Sequence, residues 1–349
     1  MHIDQLETPV AVLDLDRLER NIGRFQAYLD EHGIANRPHI KTHKSPEIAS
    51  LQVAAGAVGI TCQKLGEAEV MVQGGIEDIF VPYNIVGATK LERLVRLSRQ
   101  ARMSVTADSE VVVRGLSSAM RGETEPLPVL VECDTGMQRC GAQTPRAAAE
   151  LARVIAGAPG LRFGGLMTYP NSKTTNEFVR ETKMLLASGG IPVQRVSGGG
   201  TSCMWEAHTH PDITEHRAGE YAFGDRHSLR AGVLGLEDCA FTVITTVVSR
   251  PTESRGILDG GSKTFSSDVR DLEGHGLILE YPEARIYALS EEHGHVDFSA
   301  CPQAPEISER LTVIPNHCCV VTNLFNEVVG VRGGTVETVL PVACRGRLQ

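Results

Sequence analysis

Apolar and polar positions alternate between two patterns from residue 35 to about residue 221. Short β-branched runs are followed by stretches in which apolar residues have helical spacing, an order typical of parallel βα units. Eight runs are predicted as strands, at 35–41, 57–62, 78–83, 103–107, 127–134, 161–169, 192–197 and 213–222. Helical patterns lie between most of them, for example at 45–55, 65–74, 89–99, 145–156 and 176–188. This order predicts an α/β fold, a (β/α)8 TIM-type barrel, with the helix predicted at 15–32 as an outer helix that closes the ring.

The pattern changes after about residue 236. Strand-like runs follow one another without long helical stretches, at 239–249, 256–258, 285–288, 311–314, 330–332 and 335–340. We therefore predict a barrel domain over 10–235 and a second, β-rich C-terminal domain over 236–349 together with 1–9. The strand-like run 9–15 is expected to join that second domain.

Composition and charge narrow the class of protein. The net charge of −9 argues against a nucleic-acid or anionic-membrane partner, since either would require a basic face. Residues 1–8 are polar and no run approaches the roughly 20 apolar residues of a membrane helix, so neither a signal peptide nor a membrane span is expected. The 9 cysteines have no disulfide-scaffold spacing and are expected to be reduced. These features favour a soluble, cytoplasmic enzyme that acts on a small molecule.

The run RPHIKTHK at 37–44 ends the first predicted barrel strand. Barrel enzymes carry their reactive groups at that edge, where Lys41 could supply a nucleophilic amine. By spacing alone, two lysines and two histidines also fit a solvated loop.

The run SGGGT at 197–201 follows the seventh predicted strand. Consecutive glycines let backbone N–H groups converge on an anion, and the loop after strand seven is a common phosphate site in these barrels. The alternative is a flexible turn.

Arginines lie near the barrel mouth after strand five, in DTGMQRCG at 134–141, and in strand eight, in EHRAGEY at 215–221. These residues, Arg139 and Arg217, are permanent cations suited to an anionic oxygen or a ring nitrogen. Each could equally be an ordinary ion-pair partner.

A His-x-Cys pair, His317 and Cys319, lies in VIPNHCC at 313–319. In an extended segment both side chains would point to one side, and imidazole and thiolate suit zinc. Two ligands are fewer than the three that a catalytic zinc usually takes from protein, so substrate or water would have to complete the shell. A buried histidine beside a core cysteine is the alternative.

Taken together, these motifs resemble those of the fold-type III pyridoxal-phosphate enzymes, and most closely the branch that contains D-threonine aldolase and D-serine dehydratase. The resemblance covers almost the whole chain. It is carried by TPVAVLDLDRLERNI at 8–22, RPHIKTHK, CDTGMQRCG at 133–141, SGGGT, DGGSKTFSSD at 259–268, EEHG at 291–294 and PNHCC at 315–319.

The resemblance implies a role for each matching residue. Lys41 would hold pyridoxal phosphate as a Schiff base, with Lys44 as a nearby lysine that does not bond the cofactor. Arg139 would contact its phenolic oxygen, Arg217 would face the pyridine nitrogen, and Tyr169 would be an active-site tyrosine. The phosphate loop would be formed by Ser197, Gly198, Gly199, Gly200 and Thr201. His317 and Cys319 would bind a divalent metal, namely zinc, manganese, cobalt or magnesium.

The implied activity is that of a lyase acting on a D-3-hydroxy amino acid, in a homodimer. Retro-aldol cleavage, with His43 or a neighbouring histidine as the base, would give glycine and an aldehyde; dehydration, with Lys41 as the base at Cα, would give a 2-oxo acid and ammonia. His-x-Cys at the metal favours dehydration, whereas the VVTNLF run that follows it is shared by many aldolase-like members, and both reactions stay open. An amino-acid racemase and a non-catalytic pyridoxal-phosphate carrier are the alternatives.

Overall fold

The computed structural model describes all 349 residues, which form two compact units. The first unit contains Met1–Gly23, Thr42–Ser45 and Glu220–Gly346, and the second contains Arg24–Lys41, Pro46–Gly219 and Arg347–Gln349. The second unit carries an 8-stranded sheet and the first a 9-stranded sheet. The predicted fold class, a barrel with a separate β-rich unit, is confirmed.

The strands, in chain order, are β1 Val10–Asp14, β2 Ala35–Asn36, β3 Ile60–Thr61, β4 Asp78–Asn84, β5 Arg102–Ala107, β6 Leu127–Cys133, β7 Leu161–Thr168, β8 Val196–Gly199, β9 Glu215–Arg217, β10 Phe241–Ser249, β11 Arg255–Leu258, β12 Leu277–Ile278, β13 Arg285–Leu289, β14 Gly294–Asp297, β15 Arg310–Ile314, β16 Glu327–Arg332 and β17 Thr335–Pro341. The α-helices are α1 Leu15–Glu31, α2 Pro46–Ala54, α3 Leu65–Gln73, α4 Ala88–Ser98, α5 Glu110–Met120, α6 Pro145–Gly157, α7 Thr175–Ala187, α8 Arg226–Arg230, α9 Ser262–Phe265 and α10 Cys318–Thr322. Short 3₁₀ helices span Ile3–Gln5, Thr201–Thr209, Glu220–Ala222 and Leu236–Asp238. None of the helices is both long enough and apolar enough to cross a membrane.

The barrel is formed by β2 to β9, which pair in parallel in the order β2-β9-β8-β7-β6-β5-β4-β3. A parallel bridge between His39 and Thr61 joins the two ends of this order, so the ring closes. Phe80 from β4, Leu130 from β6 and Met167 from β7 form one fully buried cluster. All eight predicted barrel strands are present.

Two predicted strand boundaries are wrong around the glycine run. β8 covers Val196–Gly199 rather than 192–197, so Gly198 and Gly199 belong to the strand and do not follow it. β9 ends at Arg217 rather than at 222, and Glu220–Ala222 forms a 3₁₀ helix. Consecutive glycines predict a loop, but glycine also allows two strands to approach closely, as β8 and β9 do here.

In the β-rich unit, the N-terminal strand lies at the centre of the sheet. β1 pairs antiparallel with β10, with Val10 opposite Ile244, and parallel with β16, with Val12 opposite Val329. The buried side chains of Val12, Ile244 and Val329 pack together with Val331. The prediction that the run 9–15 joins this sheet is confirmed, whereas β12 and β14 were not predicted, because one has two residues and the other is largely polar.

Candidate active site

Three of the predicted site residues come together at the carboxyl end of the barrel strands. Lys41 lies in a turn two residues after His39, the residue that closes the barrel. Its Nζ is 5.8 Å from the centre of the Tyr169 ring, and the guanidinium carbon of Arg139 is 5.5 Å from the same centre. Tyr169 directly follows β7. The barrel edge therefore places an amine, a phenol and a guanidinium side by side.

The loop that carries Arg139 is fixed at its base. The N–H of Asp134 donates to the carbonyl of Ala142, and the N–H of Ala142 donates to the carbonyl of Glu132. The Arg139 side chain is 49% exposed and forms an ion pair with Glu132 at 3.7 Å. Arg139 is thus held near the mouth of the barrel, and its guanidinium keeps N–H groups that can donate hydrogen bonds to a ligand.

Arg217 points into the barrel. Its Nη1 donates to Ser197 Oγ at 2.6 Å and its Nη2 donates to the Thr168 carbonyl at 2.9 Å. Its guanidinium carbon is 5.7 Å from the centre of the Phe80 ring, and burial lowers its pKa to about 10. A buried guanidinium that remains charged at neutral pH fits a ring nitrogen that needs a hydrogen-bond donor.

Each position of the run 198–200 requires glycine for a different physical reason. A Cβ at Gly198 would overlap the Asn171 side chain, and one at Gly199 would overlap the Arg217 carbonyl. Gly200 has φ +126°, a backbone conformation that residues other than glycine rarely adopt. Gly198 and Gly199 are therefore required by close packing, and Gly200 by its backbone conformation.

The residues around Gly200 fit a phosphate group. Thr201 begins a 3₁₀ helix, and the first N–H groups of a helix have no acceptor within it. Beside the glycines, Asn171 accepts the Gly199 N–H at 2.9 Å, while its Nδ2 is buried without a partner. A buried donor that lacks an acceptor is costly, and an anionic oxygen would remove that cost.

The last two residues of the RPHIKTHK run, His43 and Lys44, have partners in the β-rich unit. His43 is buried, its Nδ1 accepts the Ser45 N–H at 3.2 Å, and its ring centre is 6.3 Å from that of Phe223. Lys44 is also buried and donates to Asn323 Oδ1 at 2.9 Å. Lys41 belongs to the barrel unit, whereas the segment Thr42–Ser45 belongs to the other.

The predicted metal pair acquires a third candidate ligand. Donor atoms of Glu220, His317 and Cys319 all lie within 4.8 Å of one another. The extended segment predicted for the pair is wrong, because Cys319 lies in the short helix α10 and His317 is its N-cap. His317 keeps an extended backbone, with φ −142° and ψ 99°, and this change of conformation between the two residues brings both side chains to Glu220.

The donor atoms of this cluster suit a metal ion. A hydrogen bond with Cys318, helped by His317, lowers the pKa of the Cys319 thiol to about 6. Burial disfavours a charged His317, but its bonds to Cys319, Glu220 and Asp268 outweigh burial and raise its pKa to about 11. A bound metal would displace the Nε2 proton of His317 and so make the ring a neutral ligand. A thiolate, an imidazole and a carboxylate are ligands typical of zinc, so the donor set fits a divalent metal.

A second set of contacts orients these ligands. Asp268 Oδ2 lies 2.6 Å from His317 Nδ1, which leaves Nε2 for the cluster. Arg270 Nη2 donates to Glu220 Oε1 at 3.1 Å, and Thr42 Oγ1 lies 3.1 Å from Cys319 Sγ. Glu220 and Asp268 had no predicted role, although they lie in the motifs EHRAGEY and DGGSKTFSSD.

Comparison with family models matches both parts of the chain. Residues 13–227 match the alanine racemase N-terminal domain, and residues 240–331 match a putative serine dehydratase domain.

Relatives and solved structures match over nearly the full length. A D-threonine aldolase from Arthrobacter sp. is 36% identical, covering 98% of this chain and 93% of the relative. A 3-hydroxy-D-aspartate aldolase from Paracoccus denitrificans is 32% identical, covering 99% and 94%. The structure of D-threonine aldolase from Filomicrobium marinum superposes with a TM-score of 0.91 at 32% identity, covering 99% and 97%. That of D-threo-3-hydroxyaspartate dehydratase from Delftia sp. HT23 gives 0.87 at 28% identity, covering 97% and 98%. The chain therefore belongs to the alanine racemase-like, fold-type III pyridoxal-phosphate enzymes, in the branch that contains D-threonine aldolase and D-3-hydroxyaspartate dehydratase.

Proposed function

We propose that this protein is a lyase that acts on D-3-hydroxy amino acids, with pyridoxal phosphate held by Lys41 and a divalent metal held by Glu220, His317 and Cys319. The observation that carries the proposal is the three-donor cluster, because amino-acid racemisation on the same barrel has no use for a metal. The 9-stranded second unit also argues against a simple cofactor carrier.

Different barrel residues bind different parts of the cofactor. Lys41 supplies the amine that bonds it, Arg217 donates to its ring nitrogen, and Arg139 contacts its phenolic oxygen beside Tyr169. Thr201 and the preceding Gly200, with Ser197, Gly198 and Gly199 behind them, form the phosphate site. Bound there, pyridoxal phosphate supplies an electron sink for the bond broken at the substrate's Cα. Lys41 is also the group placed to take or return a proton at Cα.

The metal site gives the substrate's 3-hydroxyl a binding position. A divalent ion there supplies Lewis acidity toward that oxygen. The thiolate of Cys319 suits zinc or cobalt better than magnesium, which prefers an all-oxygen shell. Glu220 and Cys319 balance the charge of the ion, and Asp268 holds the His317 ring in place.

Removal of the metal is expected to abolish turnover. We predict that a chelator inactivates the enzyme and that added zinc, manganese or cobalt restores activity. Cys319→Ala should lose the bound metal, as measured by elemental analysis, because two ligands hold it much more weakly than three. Cys301→Ser, a change at a half-buried cysteine outside the cluster, should keep it. Full metal content in Cys319→Ala would count against this ligand.

Two reactions are compatible with this site, and one assay separates them. The holoenzyme with metal is incubated with D-threonine and with D-serine, and the products are identified. Glycine with an aldehyde indicates retro-aldol cleavage, for which His43 stays the predicted base; a 2-oxo acid with ammonia indicates dehydration. The aldolase and the dehydratase relatives support one outcome each, and His-x-Cys favours dehydration. Recovery of the L-enantiomer alone would contradict the proposal and favour a racemase.

The homodimer, the cytoplasmic location and the domain boundary at 235/236 stay predictions. Size-exclusion chromatography with light scattering checks the first.

A further inference from the structure

His216 is a buried, titratable residue that the proposed chemistry does not use. It lies in β9, and its Nε2 donates to the Gly200 carbonyl at 3.2 Å. Its Nδ1 is buried without a partner, and its ring meets the Phe25 ring edge-on at 5.7 Å. Burial lowers its pKa to about 4, so the ring is neutral at neutral pH and carries its hydrogen on Nε2.

The bond from His216 fixes the direction of one peptide group. In a trans peptide the carbonyl and the following N–H point in opposite directions. Because the Gly200 carbonyl points toward His216, the Thr201 N–H points away from it. The preceding peptide is already fixed, since the Gly199 carbonyl accepts from the Asn171 N–H and the Gly200 N–H donates to the Arg217 carbonyl, both at 2.9 Å. Glycine at position 200 imposes little preference of its own, so its contacts set the orientation of the next peptide. The Gly200 carbonyl is held by His216 Nε2 at 3.2 Å and by a longer contact from Cys203 Sγ at 3.5 Å.

We infer that His216 is a positioning residue for the cofactor's phosphate. By its hydrogen bond it keeps the Gly200 carbonyl turned away from the anion, so that the Thr201 N–H points toward the anion. The inference rests on the proposed function. A second observation points to a ligand at the same place, because the buried Asn171 Nδ2 beside these glycines has no acceptor. Loss of the His216 bond removes the shorter of the two side-chain contacts to the Gly200 carbonyl. A carbonyl that turns toward the phosphate would repel the anion with its partial negative charge.

The test compares two ligands that differ only in the phosphate, pyridoxal phosphate and pyridoxal. Dissociation constants are measured on the full chain freed of cofactor, by absorbance and by quenching of Trp205, the single tryptophan, which lies in the helix that begins at Thr201. His216→Phe keeps a buried ring against Phe25 but has no donor. We expect its affinity for pyridoxal phosphate to fall about 10-fold, the cost of one lost buried hydrogen bond, with the affinity for pyridoxal unchanged. His216→Gln, which places an amide donor near Nε2, should restore much of the preference.

Tyr28→Phe is the matched control for a general loosening of the same helix. The Tyr28 hydroxyl donates to the Trp205 carbonyl at 2.8 Å and lies 2.7 Å from His208 Nδ1, so its removal weakens the helix far from Gly200. The control should keep the wild-type preference for the phosphorylated ligand. An unchanged ratio in His216→Phe, an equal loss of both ligands, or the same loss in Tyr28→Phe would overturn the inference. A wild-type protein that fails to bind pyridoxal phosphate would instead contradict the proposed function.

Discussion

Replacement of Lys41 by alanine is expected to abolish both the absorbance of the lysine-bound cofactor and all turnover. The Lys41 amine is the group expected to bond the cofactor's aldehyde, and alanine has no amine to replace it. Lys41 Nζ lies 5.8 Å from the centre of the Tyr169 ring. The variant is purified with pyridoxal phosphate present, and its spectrum is compared with that of the wild type. Melting temperature reports whether the barrel still folds.

Lys44→Ala is the matched control for Lys41→Ala. Lys44 lies three residues further on, but its Nζ is already engaged with Asn323 and it should not bond the cofactor. The control is expected to keep the chromophore, even if it loses some stability. A lysine-linked chromophore in Lys41→Ala, or its loss in Lys44→Ala alone, would reassign the bonding lysine.

Glu215→Gln is expected to destabilise the barrel by about 3 kcal/mol, because it leaves the half-buried Arg195 without its counterion and the buried Arg37 with Asp78 alone. Glu215 accepts from Arg37 Nε at 2.7 Å and from Arg195 Nη2 at 2.8 Å, and its side chain is 5% exposed. Urea unfolding of both proteins measures the difference. Glu69→Gln removes a more exposed partner of Arg93, and such pairs contribute about 1 kcal/mol or less.

The same carboxylate makes stability depend on acid pH. Burial alone would raise the pKa of Glu215, but Arg37 and Arg195 outweigh it and lower the pKa from 4.5 to about 2. A pKa that is lower in the folded state contributes stability above the unfolded value, and this contribution is lost as pH falls from 4.5 toward 2. The shift corresponds to about 3 kcal/mol. The wild type should lose that amount over this range and Glu215→Gln should not; parallel pH profiles would contradict the assignment.

The barrel could be predicted from sequence because its signal is local. Each strand is a short apolar run and each helix has its own spacing, so alternation alone gave eight βα units. The boundaries of β8 and β9 could not be predicted. Gly198 and Gly199 are required because a Cβ there would overlap Asn171 and Arg217, which are distant along the chain.

The candidate site was predicted where one short motif carries the chemistry. Lys41 and Tyr169 end predicted barrel strands and Arg139 lies in the loop after one, and the ends of these strands necessarily meet at one edge. Glu220 could not be identified as a partner of His317 and Cys319, because nearly one hundred residues separate them and no periodicity links them. His216 lies in β9 and Gly200 directly follows β8, so no local pattern indicates the hydrogen bond between them either.

The most direct measurement of the central claim is the mass of the peptide that carries the cofactor. The holoenzyme is treated with borohydride, which makes the lysine–cofactor bond permanent, and is then digested and sequenced by mass spectrometry. We predict one pyridoxyl-phosphate adduct, on Lys41, with Lys44 in the same run unmodified. An adduct on any other lysine, or none in a protein that still binds the cofactor, would contradict the account.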